Sequence, residues 1–158
     1  MTNLERAIGL TETIRDALAG EISVAREERV LIRKMDADAL NARAQTRATF
    51  NEKTAGLMAQ LGEVLGSAGA ELGLPSVTLD ALQATAPQEG RRMAALLAEV
   101  RSLASALSEL DALNRLLGQR ALSYVRAHLA VLSPKPAAYD RRGGGTAVPR
   151  TSTFVRVA

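Results

Sequence analysis

Apolar side chains recur at alternating three- and four-residue steps over residues 93–131, without a break in phase. The positions of this seam are Met93, Leu96, Val100, Leu103, Leu107, Leu110, Asn114, Leu117, Ala121, Tyr124, His128 and Val131. The run contains no proline, and its only glycine is Gly118. Such spacing is typical of a helix that packs against other helices in the manner of a coiled coil. A single helix of about 45 residues would be roughly 65–70 Å long, so the sequence predicts an elongated bundle.

Two further long helices are predicted before the seam. Residues 3–34 carry an apolar face that is wider than a two-stranded coiled coil needs, which indicates a bundle of three or more helices. A second helix is predicted over residues 36–72, because Asp36 is a suitable N-cap. One continuous helix that runs through this position is the alternative interpretation.

The second helix is uneven along its length. Between residues 36 and 55 its only large apolar residues are Leu40 and Phe50, whereas the face from Leu57 onward is rich in leucine and valine. Small residues form another stripe of this helix, at Ala55, Ala59, Gly62, Gly66, Gly69 and Gly73. An interior glycine weakens a helix by about 1 kcal/mol relative to alanine. A stripe of glycines therefore favours close packing inside the bundle, with a ligand groove as the alternative.

Local signals mark the ends of the remaining elements. Gly73 and Pro75 are expected to end the second helix, and one turn of helix is expected after Thr78. The long helix is predicted to begin at residues 85–88, where Thr85 can act as the N-cap and a proline suits the first turn. The long helix is predicted to end before Pro134 and Pro136.

The fold class that these patterns predict is all-α, an elongated antiparallel bundle of three to four helices with coiled-coil-like packing. At 158 residues the chain has the size of one domain, and its apolar content is mostly leucine and alanine. Residues 1–132 are assigned to the bundle. Residues 133–158, which include three consecutive glycines, are assigned to a flexible basic tail.

Charge is divided unequally between these two parts. Residues 1–134 contain fifteen Lys and Arg against sixteen Asp and Glu, a net charge of −1, whereas residues 135–158 contain five against one, a net charge of +4. The body lacks the basic stripe of a nucleic-acid-binding protein, and only 3% of the residues are aromatic, so nucleic acid is not an expected partner. Neither a secretory signal nor a membrane-spanning stretch is visible, and the chain is expected to be cytoplasmic without membrane insertion.

Catalysis and metal binding have little support in the sequence. There is no cysteine and His128 is the only histidine, so no catalytic residue, metal site or cofactor is predicted. His128 is interpreted as a partly buried packing residue at the end of the seam. Asn114 occupies a position where the seam expects an apolar residue, and a polar residue there commonly fixes the register and the number of partner helices.

A second apolar stripe lies near the end of the long helix. Leu122, Val125, Leu129 and Leu132 recur at 3-4-3 spacing on a face distinct from the seam. If the second helix and the long helix are antiparallel, residue 50 lies beside about residue 110, and residues 125–132 extend past the turn near Met35. An apolar helix end of this kind is a candidate docking site for a partner helix. A kink that folds the end back and a homodimer contact are the alternatives.

Several short motifs occur in a fixed order along the chain. They are Leu18-x-x-Glu21, Asp36-x-x-x-Leu40, Glu52-Lys53 before Leu57, Leu110-x-x-Leu113-Asn114-x-x-Leu117, Tyr124, and Tyr139-Asp140-Arg141-Arg142-Gly143. The leucine–asparagine segment, followed about 25 residues later by a Tyr-x-x-x-Gly tail, is the most specific part. Together these motifs resemble the FlgN-type flagellar export chaperones over most of the chain. The sequence departs from that pattern in the apolar-poor start of the second helix and in residues 146–158, which form a longer and more basic tail.

The resemblance implies a cytoplasmic, non-enzymatic chaperone of flagellar type III export. Such proteins hold the C-terminal helical ends of hook–filament junction proteins until export. The client-binding residues that the resemblance indicates here are Leu117, Leu122, Val125, Leu129 and Leu132. Tyr139 matches a tail tyrosine that is linked to docking on the cytoplasmic domain of the export gate; a tyrosine that only folds back on the bundle is the alternative.

A different class of protein fits the same pattern less well. In this alternative the chain is a structural coiled-coil protein that self-associates through the end of the long helix. The two hypotheses differ in what covers the second apolar stripe, which is a client helix in the first and another copy of the chain in the second. For the chaperone we expect a monomer or a weak dimer.

Overall fold

The structure is a computed structural model that describes residues 2–132 of the chain. Within them lie four α-helices: α1 (Asn3–Lys34), α2 (Ala37–Glu71), α3 (Leu79–Thr85) and α4 (Pro87–Leu132). These residues contain no β-strand, which confirms the predicted all-α class. The chain divides into two compact units, Met1–Leu122 and Ser123–Ala158, and the second is described as far as Leu132.

The break between α1 and α2 is made by two consecutive residues. Met35 adopts the left-handed backbone conformation, with a φ of 53°, and its N–H donates a hydrogen bond to the carbonyl of Ile32 at 3.1 Å. Asp36 is extended, and its side chain accepts a hydrogen bond from the N–H of Ala39 at 3.0 Å. The N-cap predicted at Asp36 is therefore confirmed, and the alternative of one continuous helix is excluded.

Short connections join α2, α3 and α4. Gly73 follows α2 with a positive φ of 67°, which glycine adopts without steric strain. Thr78 caps α3, since its hydroxyl accepts a backbone hydrogen bond of 3.2 Å from the first turn. The prediction that Thr85 caps the long helix is wrong. Thr85 is the last residue of α3, and the carbonyl of Ala86 instead accepts a hydrogen bond of 2.8 Å from the N–H of Gly90.

Polar contacts fix the directions of the three long helices in the first unit. α1 and α2 are antiparallel, because the N–H of Asn3 donates to Glu71 at 3.3 Å while Glu21 pairs with Arg47 at 2.7 Å. α4 runs in the same direction as α1, since Arg92 pairs with Glu12 near the start of both helices, and Asn114 contacts α1 further along. α4 is consequently antiparallel to α2, as the sequence predicted.

The core of the first unit is built from all four helices. Its buried residues are Leu4, Ala7, Ile8, Ile14, Leu18, Ile22, Ala25, Leu61, Ala68, Leu82, Met93, Leu96 and Leu107. The short α3 contributes Leu82, which is only 2% exposed, so this element closes the apolar end of the core. The seam of α4 supplies Met93, Leu96 and Leu107 and is therefore a core-facing stripe in this unit.

The glycine stripe of α2 is closely packed at one position only. Gly69 is buried, and a side-chain carbon of Val77 occupies the place where a Cβ on Gly69 would lie. A Cβ at Gly62 or Gly66 would meet nothing within 4 Å, and both glycines are exposed. The expectation of close packing along the whole stripe is therefore wrong, because no other described element covers this face of α2.

Replacing Gly90 with alanine should destabilise the protein. A Cβ at Gly90 would lie 2.7 Å from the backbone nitrogen of Gln83, so α3 would have to move. Overpacking of this kind costs about 1–3 kcal/mol. Gly62→Ala is the matched control, and its exposed, open position should gain about 1 kcal/mol through helix propensity. Urea unfolding followed by circular dichroism measures both, and equal gains in the two variants would contradict the close α3–α4 contact.

Candidate functional site

Polar side chains occupy core-facing positions in one half of the first unit. The inward positions of α2, at alternating steps of three and four, are Leu40, Arg43, Arg47, Phe50, Thr54, Leu57, Leu61, Val64 and Ala68. All of them are buried or half-buried. Two arginines therefore take the places of core residues in the apolar-poor half of α2, which explains why that half is apolar-poor.

These arginines join the three long helices. Arg43 and Glu21 are each 7% exposed in their side chains, and the guanidinium of Arg43 pairs with the Glu21 carboxylate. Arg47 donates to the same carboxylate at 2.7 Å and also pairs with Asp111 of α4. One chain of charge-assisted contacts thus runs from α1 through α2 to α4.

Asn114 extends these contacts along α4. Its amide nitrogen donates to the backbone carbonyl of Ala25 at 2.7 Å, and its amide oxygen accepts from Nε of Arg29 at 3.1 Å. The side chain is buried with both of its polar groups bonded to α1. This geometry agrees with the prediction that Asn114 fixes the register of the helices. We call Glu21, Arg43, Arg47, Asp111 and Asn114 the polar layer.

A groove of about 650 Å³ opens beside the polar layer within the first unit. Small and apolar residues line part of it, namely Ile32, Leu40, Ala44, Ala48 and Gly118. Arg43 and Asn114 also line it, together with Arg115. Nε of Arg43 is buried without a hydrogen bond, and the Glu28 carboxylate lies 3.4 Å from it. The groove is thus partly apolar and has buried polar groups in its lining.

The final turns of α4 are exposed throughout. Every residue from Leu122 to Leu132 is exposed, whereas Ala121 and Leu117 are half-buried. Among the residues predicted to bind a client, the exposed fraction is 57% for Leu122 and Leu129, 38% for Val125 and 77% for Leu132. These large apolar side chains have no cover within the part of the chain that the structure describes.

Three members of the seam do not behave as core residues. Tyr124 is 58% exposed and Val131 is 84% exposed. The interpretation of His128 as a partly buried packing residue is wrong, because His128 is exposed. Its ring lies against the ring of Tyr124, with 4.3 Å between the two centroids. The phase of the seam continues to residue 131, but its burial ends at Ala121.

Two further leucines on α4 are exposed, although they are not among the residues predicted to bind a client. Leu113 is 49% exposed and Leu116 is 45% exposed, and both lie in the first unit. Between residues 112 and 132 the sequence contains three arginines, Arg115, Arg120 and Arg126, and no Asp or Glu. This part of α4 is therefore both apolar and positively charged. Tyr139 lies outside the described residues.

The described residues contain no helix long and apolar enough to cross a membrane. They also contain no cluster of three or more His, Asp or Glu side chains that could hold a metal ion. Two surfaces of the described residues combine apolar side chains with positive charge, namely the exposed end of α4 and the groove beside the polar layer. The fold and these surfaces define a helical-bundle protein with an uncovered apolar helix end.

The family model described as FlgN protein matches residues 1–146, which is most of the 158-residue chain. The chain therefore belongs to the FlgN family, a family of flagellar export chaperones that bind export substrates. This confirms the resemblance drawn from the sequence motifs. No curated protein and no solved structure shows significant similarity to the chain.

Removing one partner of the buried ion pair should destabilise the protein strongly. Glu21→Leu leaves the buried guanidinium of Arg43 without its main partner, and such a loss typically costs about 3–5 kcal/mol. The double change Glu21→Leu with Arg43→Leu should recover most of this stability, because no buried charge of the pair remains. Arg92→Ala is the control: its side chain is 61% exposed, and the loss should stay below about 1 kcal/mol. Chemical denaturation measures the free energy of unfolding of all three variants. A double variant as unstable as Glu21→Leu alone would contradict the assignment of a buried Glu21–Arg43 ion pair.

Proposed function

We propose that this chain is a cytoplasmic chaperone for hook–filament junction proteins in flagellar type III export. It would bind their C-terminal helical ends and deliver them to the cytoplasmic domain of the export gate. Membership of the FlgN family supports the general role. The observation that carries the specific proposal is the exposed, apolar end of α4, from Leu122 to Leu132.

The client-binding residues of this proposal are all on α4. They are Leu117, Leu122, Val125, Leu129 and Leu132, two in the first unit and three in the second. Large apolar side chains at such spacing suit the apolar face of an amphipathic helix, which would gain roughly 25 cal/mol for each Å² of apolar surface removed from water. Covering the client helix in this way would prevent the client from assembling before export.

Delivery to the gate is assigned to Tyr139. The assignment rests on the position of this tyrosine in the Tyr-x-x-x-Gly segment after the long helix, since the residue lies outside the described part of the chain. Separate residues for the client and for the gate would let one chaperone hold both partners at the same time. No catalytic residue and no cofactor enters this function.

Charge on the client-binding residues should abolish client binding without unfolding the protein. Val125→Asp with Leu132→Asp places two carboxylates among apolar side chains that a client must desolvate, while both positions are exposed in the free chain. We expect at least a hundredfold weaker binding of purified hook–filament junction proteins from the same genome in isothermal titration calorimetry, a change of about 2.7 kcal/mol.

A matched control separates this effect from a general effect of charge. Val24 on α1 has the same exposed fraction as Val125, 38%, so Val24→Asp adds the same carboxylate at an equally exposed valine. Binding should stay within about twofold in Val24→Asp. A collapse of helicity in the double variant, seen by circular dichroism, would show that Val125 and Leu132 are core residues and would contradict the proposal.

Loss of the tail should separate client binding from gate docking. A chain that ends at residue 132 retains all the proposed client-binding residues, so its affinity for the junction proteins should be unchanged. Pull-down with the purified cytoplasmic domain of the export gate should fail for this deletion and for Tyr139→Ala. Tyr124→Ala controls for the loss of an exposed tyrosine elsewhere. Normal gate binding by Tyr139→Ala would remove the case for this residue.

A further inference from the structure

The groove beside the polar layer has properties that the proposed client-binding residues do not explain. All of its lining residues lie between Glu28 and Gly118, so it belongs wholly to the first unit. Its volume of about 650 Å³ is in the range of protein ligand pockets. None of the five client-binding residues lines it. The groove is thus a separate surface.

Small residues leave space along both walls of the groove. Ala44 and Ala48 recur at a four-residue step on α2, and Gly118 faces them from α4. A Cβ on Gly118 would meet nothing within 4 Å. The open space at Gly118 is therefore not needed for the packing of the chain itself, and a helix could approach α2 and α4 closely there.

Each charged residue in the lining of the groove, except Arg115, has an oppositely charged partner. Its lining carries the arginines Arg43, Arg47 and Arg115 and the carboxylates Glu28 and Asp111. Arg47 pairs with Asp111, and Nε of Arg43 lies 3.4 Å from Glu28. Arg115 is exposed and makes no ion pair with any described residue, so the groove presents one positive charge that a ligand can neutralise.

The charge of the neighbouring sequence favours an acidic occupant. Within the first unit, the stretch of α4 at residues 112–122 contains two arginines, Arg115 and Arg120, and no acidic residue. A second copy that docked through the same groove would bring Arg115 and Arg120 of both copies together, which is unfavourable, whereas a helix with carboxylates beside its apolar face would be attracted.

We infer that the groove docks an amphipathic helix with acidic residues beside its apolar face, and that Arg115 and the open space at Gly118 select it. The inference rests on the proposed function for the identity of the partner as an export client. It adds a second contact region in the first unit, and it specifies the chemistry of the client helix. Apolar side chains enter between α2 and α4, and a carboxylate pairs with Arg115.

The test uses two model peptides, so that it does not depend on the junction proteins. Both are amphipathic helices of about 20 residues with leucine at heptad positions a and d. One carries glutamate at positions e and g, and its twin carries lysine there. Fluorescence anisotropy with the full chain should show at least tenfold tighter binding of the glutamate peptide. Equal binding of the two peptides would overturn the inference.

Matched variants locate the binding. Gly118→Leu fills the groove and should weaken binding of the glutamate peptide at least tenfold, whereas Gly62→Leu, at an equally open glycine outside the groove, should change it by less than twofold. Arg115→Glu should also weaken it tenfold. Arg120→Glu, on the same helix but outside the groove lining, should have at most about a threefold effect. The inference would be overturned if Gly118→Leu and Gly62→Leu weakened binding of the glutamate peptide equally. Equal weakening by Arg115→Glu and Arg120→Glu would overturn it too.

Two further measurements decide between the possible occupants. If sedimentation shows a dimer that Gly118→Leu dissociates, the occupant is a second copy and the inference is overturned. If the junction proteins fail to bind the wild-type chain while the peptide results hold, the proposed function fails but the groove retains its assigned chemistry. If Val125→Asp with Leu132→Asp abolishes junction-protein binding while Gly118→Leu leaves it unchanged, only the inference fails.

Discussion

Glu21 accepts hydrogen bonds from two arginines of α2, and the second of them also pairs with Asp111 of α4. A core of leucine and alanine tolerates many relative positions of its helices, because one apolar contact replaces another at little cost. A core that contains buried charges tolerates few such positions. A displaced helix would leave a buried arginine or carboxylate unpaired at a cost of several kcal/mol. The polar layer therefore decides which residues of the three helices lie side by side. The walls of the groove depend on that alignment.

α4 combines two requirements that usually conflict. Up to Ala121 its seam is buried or half-buried against α1 and α2, as stability demands. From Leu122 onward the same helix exposes large apolar side chains, which a binding protein needs and which a stable fold normally covers. The side chains of these exposed turns are not buried against other described residues, so tertiary packing does not stabilise them. Their helical form depends on local propensity, and leucine, alanine and arginine, which are good helix formers, are frequent there.

The sequence predicted the helices well because their ends carry local signals. Asp36 and Thr78 cap helices through their own side chains, and such signals can be read without knowledge of the tertiary structure. Within the polar layer, Asn114 was predicted, but Arg43 and Arg47 were missed because arginines are normally placed at the surface. The three- and four-residue spacing of α2 contained the necessary information, since Arg43 and Arg47 continue the phase set by Leu57 and Leu61. The antiparallel arrangement placed residues 125–132 beyond the turn near Met35, so the sequence predicted that burial ends close to this point. The exact position, Ala121, depends on where the neighbouring helices stop.

The sequence separations across the polar layer also imply an order of folding. Glu21 and Arg43 are 22 residues apart, whereas Ala25 and Asn114 are separated by 89. Closing the longer loop costs about 1.2 kcal/mol more chain entropy than closing the shorter one. Pairing of α1 with α2 is thus favoured first, and α4 is the last long helix to be added. During synthesis the α1–α2 hairpin can form before α4 has left the ribosome, so the exposed end of α4 and the α4 wall of the groove are completed at the final step of folding.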